Sequence, residues 1–264
     1  MHKDLTEILA QWPFEPGQIS VRLIEADDGN PRIQVRLDLG LLQMYVDGRP
    51  DGQRPDGYDS LLDSFEARID QSQHTEQEGN ETYGDDEDNE PAPHNRTLTP
   101  DECRLLREES QQYYHRYIAL LVLEDFEAVV RDTSRNLRLV DLLGEHAIEE
   151  DDQQSLESHR PYIMMMRARA LASHALKHEE NKVALNAIDE GIEALKLYFE
   201  SSEQPEAFDQ SGEVQMLRDM RDSLIPKLPV SQKAELRQRL EAAIASENFE
   251  LAAILRDELK MLGG

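Results

Sequence analysis

Two histidines one helical turn apart are the first candidates for chemistry in this sequence. His174 and His178 are separated by Ala-Leu-Lys, a spacing that places two imidazoles on one face of a helix, where they can share a metal ion. The segment lacks the glutamate of a zinc-protease helix, and a third ligand is not evident nearby. We therefore expect no metal site.

A second candidate is the group of aspartates in two Arg-Pro-Asp-Gly repeats, residues 49–52 and 54–57. Clustered carboxylates can hold a hard cation, but the spacing of a calcium-binding loop is not met. Pro-Asp-Gly is also the composition of a tight turn. The sequence favours turns here.

A third candidate resembles a kinase catalytic loop only superficially. Arg131-Asp132-Thr133 is followed by Asn136, which comes one residue too early, and no glycine-rich loop accompanies it. The sequence also lacks a phosphate-binding loop and a nucleophile elbow. We expect a protein that is not an enzyme, with no catalytic residues and no cofactor.

Polar residues are dense at 131–141, in a predicted helix, and again at 113–116, one predicted helix earlier. Such groups must satisfy one another's charges and hydrogen bonds if they are buried. Two interpretations stay open: an internal salt-bridge network, which we favour, or a small pocket for an anion or a peptide. The residues concerned are Arg131, Asp132, Arg135, Asn136, Arg138 and Asp141, with Tyr113, Tyr114, His115 and Arg116 one helix earlier.

The charge of the chain restricts its partners. It has 55 acidic and 28 basic residues, a formal net charge of −27. Such a surface repels phosphate backbones, so we expect no direct nucleic-acid binding. Cys103 is the single cysteine, which leaves no disulfide framework. Without a signal peptide or an apolar run near the roughly twenty residues of a membrane span, the expected location is the cytoplasm, with no membrane contact.

Periodicity and composition predict an α+β fold that is mostly α, beginning with a small module at residues 1–70. From Ile19 to Val46 apolar residues alternate with polar ones, which predicts a small antiparallel sheet with a turn at 27–31. Leu5, Ile8, Leu9 and Trp12 predict a short amphipathic helix that covers one face of this sheet.

Two further segments precede the end of the chain. Residues 71–98 are acidic with almost nothing apolar, which predicts a disordered linker that lets the folded parts move independently. Residues 99–228 show helical periodicity and open with Thr99-Pro100-Asp101-Glu102, a capping box with proline at the first helical position. They predict a helical bundle for protein contacts.

The last segment, residues 229–264, predicts a hairpin of two short amphipathic helices. Apolar residues recur at spacings of three and four up to Ile244, stop at Ser246-Glu247-Asn248, and resume at Phe249. Asn248 can cap the second helix. Two short helices cannot bury both apolar stripes by themselves, so the hairpin needs a partner surface.

This hairpin resembles the UVR motif, found at the end of the excision-repair subunit UvrB and within UvrC. The resemblance rests on Phe249-Glu250, Ala252-Ala253 and Arg256-Asp257, which stand in register with the flanking leucines. In that family the hairpin binds another such hairpin, or its own copy, and carries no catalysis. The resemblance implies a partner-binding surface formed by Leu236, Leu240, Ala243, Phe249, Glu250, Ala252, Ala253, Arg256, Asp257 and Leu259.

The resemblance also implies which partners to expect. The prediction is a bacterial adaptor that docks on a UVR-motif protein of the UvrB or UvrC type, linked to excision repair, or that pairs with itself as a homodimer. The same hairpin occurs in activators of bacterial protein-arginine kinases and in some Clp-type ATPases, so a regulator of such a system is the alternative. The zinc-binding CxxC pairs of the kinase activators are absent here. An enzyme or ligand-binding protein that uses the helical domain is the more distant alternative.

Overall fold

The computed structural model describes residues 4–79 and 97–224, and the single residues Leu240, Glu241, Ile244 and Arg256. For residues 73–79 it describes the backbone alone. The chain divides into two compact units, Met1–Arg221 and Asp222–Gly264. Within the described part of the chain, no helix is long and apolar enough to cross a membrane.

A three-stranded antiparallel sheet lies near the N-terminus, after the short helix α1 (Thr6–Gln11). Its strands are β1 (Val21–Glu25), β2 (Pro31–Arg36) and β3 (Leu41–Tyr45), and β2 lies in the centre. The predicted fold class is confirmed, because the remaining described elements are helices.

The turn between β1 and β2 forms where the sequence predicts it. The Asp28 carboxylate accepts a hydrogen bond from the Asn30 amide at 3.0 Å, and Gly29 has a positive φ of 77°. Glycine and short polar residues tolerate this geometry, which side-chain bulk would oppose. The turn places β1 against β2 in the register Leu23 opposite Ile33.

The central strand is buried on both faces, which simple alternation does not predict. Ile33 and Val35 lie on one face, and Arg32 is buried on the other. The Arg32 guanidinium lies 3.6 Å from the centre of the Tyr45 ring, so one long side chain covers the next. On this face the strand is therefore covered by stacked side chains, such as Arg32 on Tyr45, and, in the described part of the chain, not by a second layer of helices or strands.

The prediction that α1 covers the sheet is wrong for Leu5 and Ile8, which are exposed. Trp12, just after the helix, does reach the sheet. Its ring lies 4.2 Å below the Arg22 guanidinium, and its carbonyl accepts a hydrogen bond from Arg36 Nε at 2.7 Å. A helix of 6 residues is too short to hold its own orientation, so the aromatic residue after it makes the contact.

Helices form the rest of the described chain, and the helix that starts at Pro100 begins with the predicted capping box. The Glu102 amide donates to Thr99 Oγ1 at 3.4 Å, while the Thr99 amide donates to the Glu102 carboxylate at 2.9 Å. The helices are α2 (Leu61–Gly79), α3 (Pro100–Val122), α4 (Phe126–His146), α5 (Glu150–Gln154), α6 (Arg160–Lys177), α7 (Asn181–Ser201) and α8 (Gly212–Leu224).

The break between α3 and α4, which the sequence left unplaced, falls at Glu124. This residue has a φ of 58°, in the left-handed region that glycine usually occupies. The Asp125 carboxylate then accepts a hydrogen bond from the Ala128 amide at 3.2 Å and caps α4. The two helices can therefore fold back on each other without a glycine or proline between them.

The N-terminal module and the helices share one core, so the predicted independent movement of the two parts is wrong. Leu62 and Ile69 of α2 pack in one buried cluster with Leu106 of α3 and Leu143 of α4. Met1–Arg221 accordingly forms a single compact unit. The sequence pattern placed the start of α2 in the N-terminal module. In the structure, the apolar residues of this helix are buried by α3 and α4, which lie far away in the sequence.

The segment predicted as a disordered linker is partly helical. α2 continues to Gly79, past the expected boundary at residue 70. Residue Leu98, also assigned to the linker, is buried and exchanges backbone hydrogen bonds with the end of α4, where its amide donates to the His146 carbonyl at 2.7 Å. Residues 80–96 of the predicted linker lie outside the described residues.

Replacing Gly191 by alanine should destabilise the protein, because α7 packs closely against α6 at this position. A Cβ at this position would lie 2.4 Å from the Ala168 Cβ, and close packing leaves no room for the added methyl group. We expect the free energy of unfolding to fall by about 1–3 kcal/mol, measured by urea denaturation.

Gly144→Ala is the matched control, since Gly144 also lies in a helix but a Cβ there meets nothing within 4 Å. This substitution should stabilise the protein by about 0.5–1 kcal/mol through helix propensity alone. A stabilising Gly191→Ala substitution would show that α6 and α7 are not packed at this distance.

Candidate functional site

A buried ion pair joins α3 to α4 at the centre of the polar cluster. Arg116 donates two hydrogen bonds to Asp132, at 2.7 and 2.8 Å, and both side chains are 1% exposed. Arg116 also donates to the carbonyls of Gly48 (2.7 Å) and Tyr45 (3.2 Å). The pair therefore anchors the loop after β3 to the helices.

A second buried carboxylate, Glu109 of α3, holds the start of α2. It is fully buried and accepts hydrogen bonds from the amides of Leu61 (2.9 Å) and Leu62 (3.3 Å), the first residues of that helix. These amides have no partner inside the helix, so a carboxylate beside them is favourable. Glu109 thus acts as an N-terminal cap supplied from a different helix.

The charge of Glu109 is balanced by two arginines. Arg135 of α4 donates a hydrogen bond to it, and Arg49 Nε lies 3.0 Å from its carboxylate. Burial lowers the pKa of Arg135 to about 9, which leaves the guanidinium charged at neutral pH. The group is therefore a charged cluster with few solvent contacts.

Exposed ion pairs extend this cluster across the surface. Arg131 pairs with Asp47 at 2.9 Å, Arg138 pairs with Glu66, and Asp141 pairs with Arg160 at 2.6 Å. The predicted salt-bridge network is present; it connects the N-terminal module to α4, and α4 to α6. It is a structural arrangement, since its charges are directed at one another.

A cleft of about 640 Å³ lies on the other side of α3, between α3, α4 and α6. At its wall the rings of Tyr114 and Tyr117 are 5.4 Å apart, and those of Tyr114 and Tyr162 are 6.3 Å apart. Burial raises the pKa of Tyr117, and the neighbouring phenols add to this, so its hydroxyl stays protonated. We call this the tyrosine cleft; its lining residues are Arg107, Ser110, Gln111, Tyr114, Tyr117, Asn136, Ser155, Leu156, His159, Tyr162 and Ile163.

Asn136 connects the network with the tyrosine cleft. Its Nδ2 donates to the Ser110 carbonyl at 3.0 Å, and its Oδ1 accepts from Arg135 at 3.0 Å, so the buried amide is fixed. The predicted network and a cleft therefore lie on different faces of these helices, and a ligand for the cleft stays a prediction. Sequence reasoning offered a pocket here and named Tyr114 and Asn136 for it, but it missed Tyr162, which comes from a third helix.

The other candidates for chemistry have structural roles or incomplete ligand sets. The rings of His174 and His178 lie 4.8 Å apart, yet in the described ranges no group of three His, Cys, Asp or Glu could hold a metal ion. Burial raises the pKa of the Cys103 thiol to about 11, which leaves it unreactive near neutral pH.

The two Pro-Asp-Gly segments form turns, as predicted. The Gly52 amide donates to the Arg49 carbonyl at 2.8 Å, and the Tyr58 amide donates to the Pro55 carbonyl at 2.9 Å. Gly52 has a positive φ, and a Cβ there would lie 2.3 Å from the Tyr45 ring, so this turn requires glycine. The turns position Arg49 against Glu109.

Two of the predicted partner-binding residues are described, Leu240 and Arg256, and both are helical. Arg256 is exposed and Leu240 is half-buried. Ile244, which lies on the predicted apolar stripe, is also helical and is 53% exposed. The binding role of the whole set stays a prediction; outside the described residues lie Leu236, Ala243, Phe249, Glu250, Ala252, Ala253, Asp257 and Leu259.

Comparison with known proteins identifies one segment of the chain. The family model of the UVR motif, described as the UvrB/uvrC motif, matches residues 231–264. Neither a curated protein nor a solved structure matches the chain. The chain therefore carries a UVR motif, a protein-interaction module, at its C-terminal end.

Proposed function

We propose that this protein is a non-catalytic adaptor that docks on a protein partner through its C-terminal UVR motif. The observation that carries the proposal is the match of residues 231–264 to that motif. The proposal includes a cytoplasmic location and the absence of catalysis.

Two features of the chain support a docking role for this segment. Residues Asp222–Gly264 form a compact unit separate from Met1–Arg221, as a module with its own partner would. Ile244, on the predicted apolar stripe, is 53% exposed. An exposed apolar side chain such as Ile244 contributes binding free energy when a partner helix covers it.

We propose a UVR-motif protein of the UvrB or UvrC type as the partner, or a second copy of this chain. UVR hairpins pair with one another, and the arrangement of Phe249, Arg256 and Asp257 suits such pairing, with an aromatic anchor beside charged residues that select the partner. The net charge of −27 supports action near DNA only through that partner.

Titration of the purified full chain with purified UvrB and UvrC tests the proposal. We expect Ile244→Asp and Phe249→Ala to weaken binding about tenfold or more, because each removes an apolar anchor from the docking face. Glu241→Gln is the control: Glu241 is helical and exposed and lies off the predicted apolar stripe, so its change should leave binding unaltered.

Light scattering on the same samples distinguishes self-pairing from docking on another protein. A homodimer that Ile244→Asp dissociates would assign the hairpin to self-association. Binding to an arginine kinase or a Clp-type ATPase, but not to UvrB or UvrC, would show that the adaptor acts in the arginine-kinase or Clp system instead. Unchanged binding by a chain that ends at Pro229 would overturn the proposal, since α8 and all preceding elements remain in it.

A further inference from the structure

A second concave surface adjoins the tyrosine cleft on α3. A crevice of about 310 Å³ lies between α3 and the sheet. Tyr114 lines both concavities. We call the second one the sheet crevice; its lining residues are Ile19, Val35, Leu37, Leu42, Tyr114, His115, Ile118 and Ala119.

The two concavities follow one face of α3. Arg107, Gln111 and Tyr114 line the cleft, and Tyr114 and Ile118 line the crevice. These positions recur every three or four residues, so they lie along one side of the helix. From Arg107 to Ile118 this face is roughly 16 Å long at 1.5 Å per residue, a length that about five extended peptide residues span.

The composition of this surface is that of a desolvated interface. Among the described residues that line the two concavities there is no Asp, Glu or Lys, although 55 residues of the 264 are acidic. Interface cores are depleted in these three residues and enriched in tyrosine and arginine, because burying an unpaired charge is unfavourable. Tyr114 and Leu37 are nonetheless 41% and 39% exposed in the chain by itself.

Hydrogen-bond donors in the cleft suit a peptide backbone. The Tyr117 side chain, which carries a hydroxyl donor, lines the cleft and is 1% exposed. Asn136 uses one N–H of its amide on the Ser110 carbonyl and retains the second. Arg107 is held at the rim by Asp152. These groups donate, so they match carbonyl oxygens of an occupant.

The net charge of the chain indicates which residues should flank a peptide bound in the groove. The chain has a net charge of −27, yet no acidic residue among those described lines the groove, so the surface outside the groove attracts cations and the groove itself suits apolar groups. Nucleic acid fits poorly, because the groove has no lysine and its single arginine is already paired.

We propose that the tyrosine cleft and the sheet crevice together form a second docking surface, which binds an extended apolar peptide of a partner protein flanked by basic residues. One apolar side chain of the peptide enters the cleft beside Tyr162, and another, four residues away and therefore on the same face of the extended peptide, enters the crevice beside Leu37. The adaptor then holds one partner through its UVR motif and a different one through this groove.

Selection of a phage-displayed library of random peptides on the full chain tests the proposal. The recovered peptides should share two apolar positions four residues apart, with Lys or Arg outside them. Fluorescence anisotropy with a recovered peptide should show binding about tenfold weaker for Tyr114→Ala and for Leu37→Asp. Leu197→Asp is the matched control, because Leu197 is an exposed leucine of α7 that lines neither concavity.

The outcomes separate this proposal from the UVR docking. Peptide binding should persist in a chain that ends at Pro229, which lacks the UVR motif. Recovery of no binding peptide, or equal binding by Leu37→Asp and Leu197→Asp, would overturn the proposal. So would a dimer of the intact chain that Leu37→Asp dissociates, since a second copy would then occupy the groove. Thermal unfolding of each variant confirms that the fold is retained.

Discussion

Replacing Glu109 by alanine should lower the free energy of unfolding by about 3–5 kcal/mol. The substitution leaves the buried Arg135 without its carboxylate and removes the acceptor of the Leu61 and Leu62 amides at the start of α2. A buried charge and two helix-end donors then lose their partners at once. Urea denaturation followed by the helical circular dichroism signal measures the change.

Glu108 provides a control one residue away in the same helix. It is exposed and pairs with Arg104 at 2.9 Å, so Glu108→Ala should change stability by about 0–1 kcal/mol. Glu109→Gln keeps an oxygen acceptor but loses the charge, so its loss of stability should lie between those of Glu108→Ala and Glu109→Ala. Equal stability of the Glu108 and Glu109 variants would mean that the carboxylate does not connect α2, α3 and α4.

Replacing Asp132 by alanine should destabilise the protein to a similar extent, by about 3–5 kcal/mol. Arg116 is 1% exposed and would keep its charge without the carboxylate that now binds it through two hydrogen bonds. The carbonyls of Gly48 and Tyr45 compensate that charge only in part. Chemical denaturation again gives the magnitude.

A second substitution distinguishes loss of the pair from loss of packing. Arg116→Met in the Asp132→Ala background removes the uncompensated charge, so the double variant should be more stable than Asp132→Ala alone. Asp47→Asn is the surface control, because its carboxylate pairs with Arg131 in solvent and contributes about 0–1 kcal/mol. If the double variant is the less stable one, the buried pair is not the source of the effect.

Local signals predicted local structure well in this chain. The capping box at Thr99 and the turn around Gly29 form as expected, because each is stabilised by residues within a few positions. Alternation predicted the three strands, since one face of the sheet does pack against the rest of the protein. The break at Glu124 escaped prediction, because a glutamate with positive φ carries no sequence signature.

Long-range contacts account for the larger errors. α2 looked like the end of a separate module, but its apolar residues are buried by α3 and α4. This shared core contradicts the prediction that the N-terminal module moves independently. The contacts join residues far apart in the sequence, so a local sequence pattern could not reveal them. Likewise, alternation could not show that Arg32 is covered by the Tyr45 ring on the opposite strand.

The sequence by itself determined the UVR motif at residues 231–264, because the identity of that motif lies in residue types held at fixed spacing. It also determined the acidic character of the chain, which is a matter of composition. The tertiary structure alone decided what the polar helices do. Glu109 meets Arg135 across 26 residues and Leu61 across 48, and Tyr162 reaches Tyr114 from a third helix. Whether such side chains neutralise one another or line a cleft depends on which faces the packing of α3, α4 and α6 brings together.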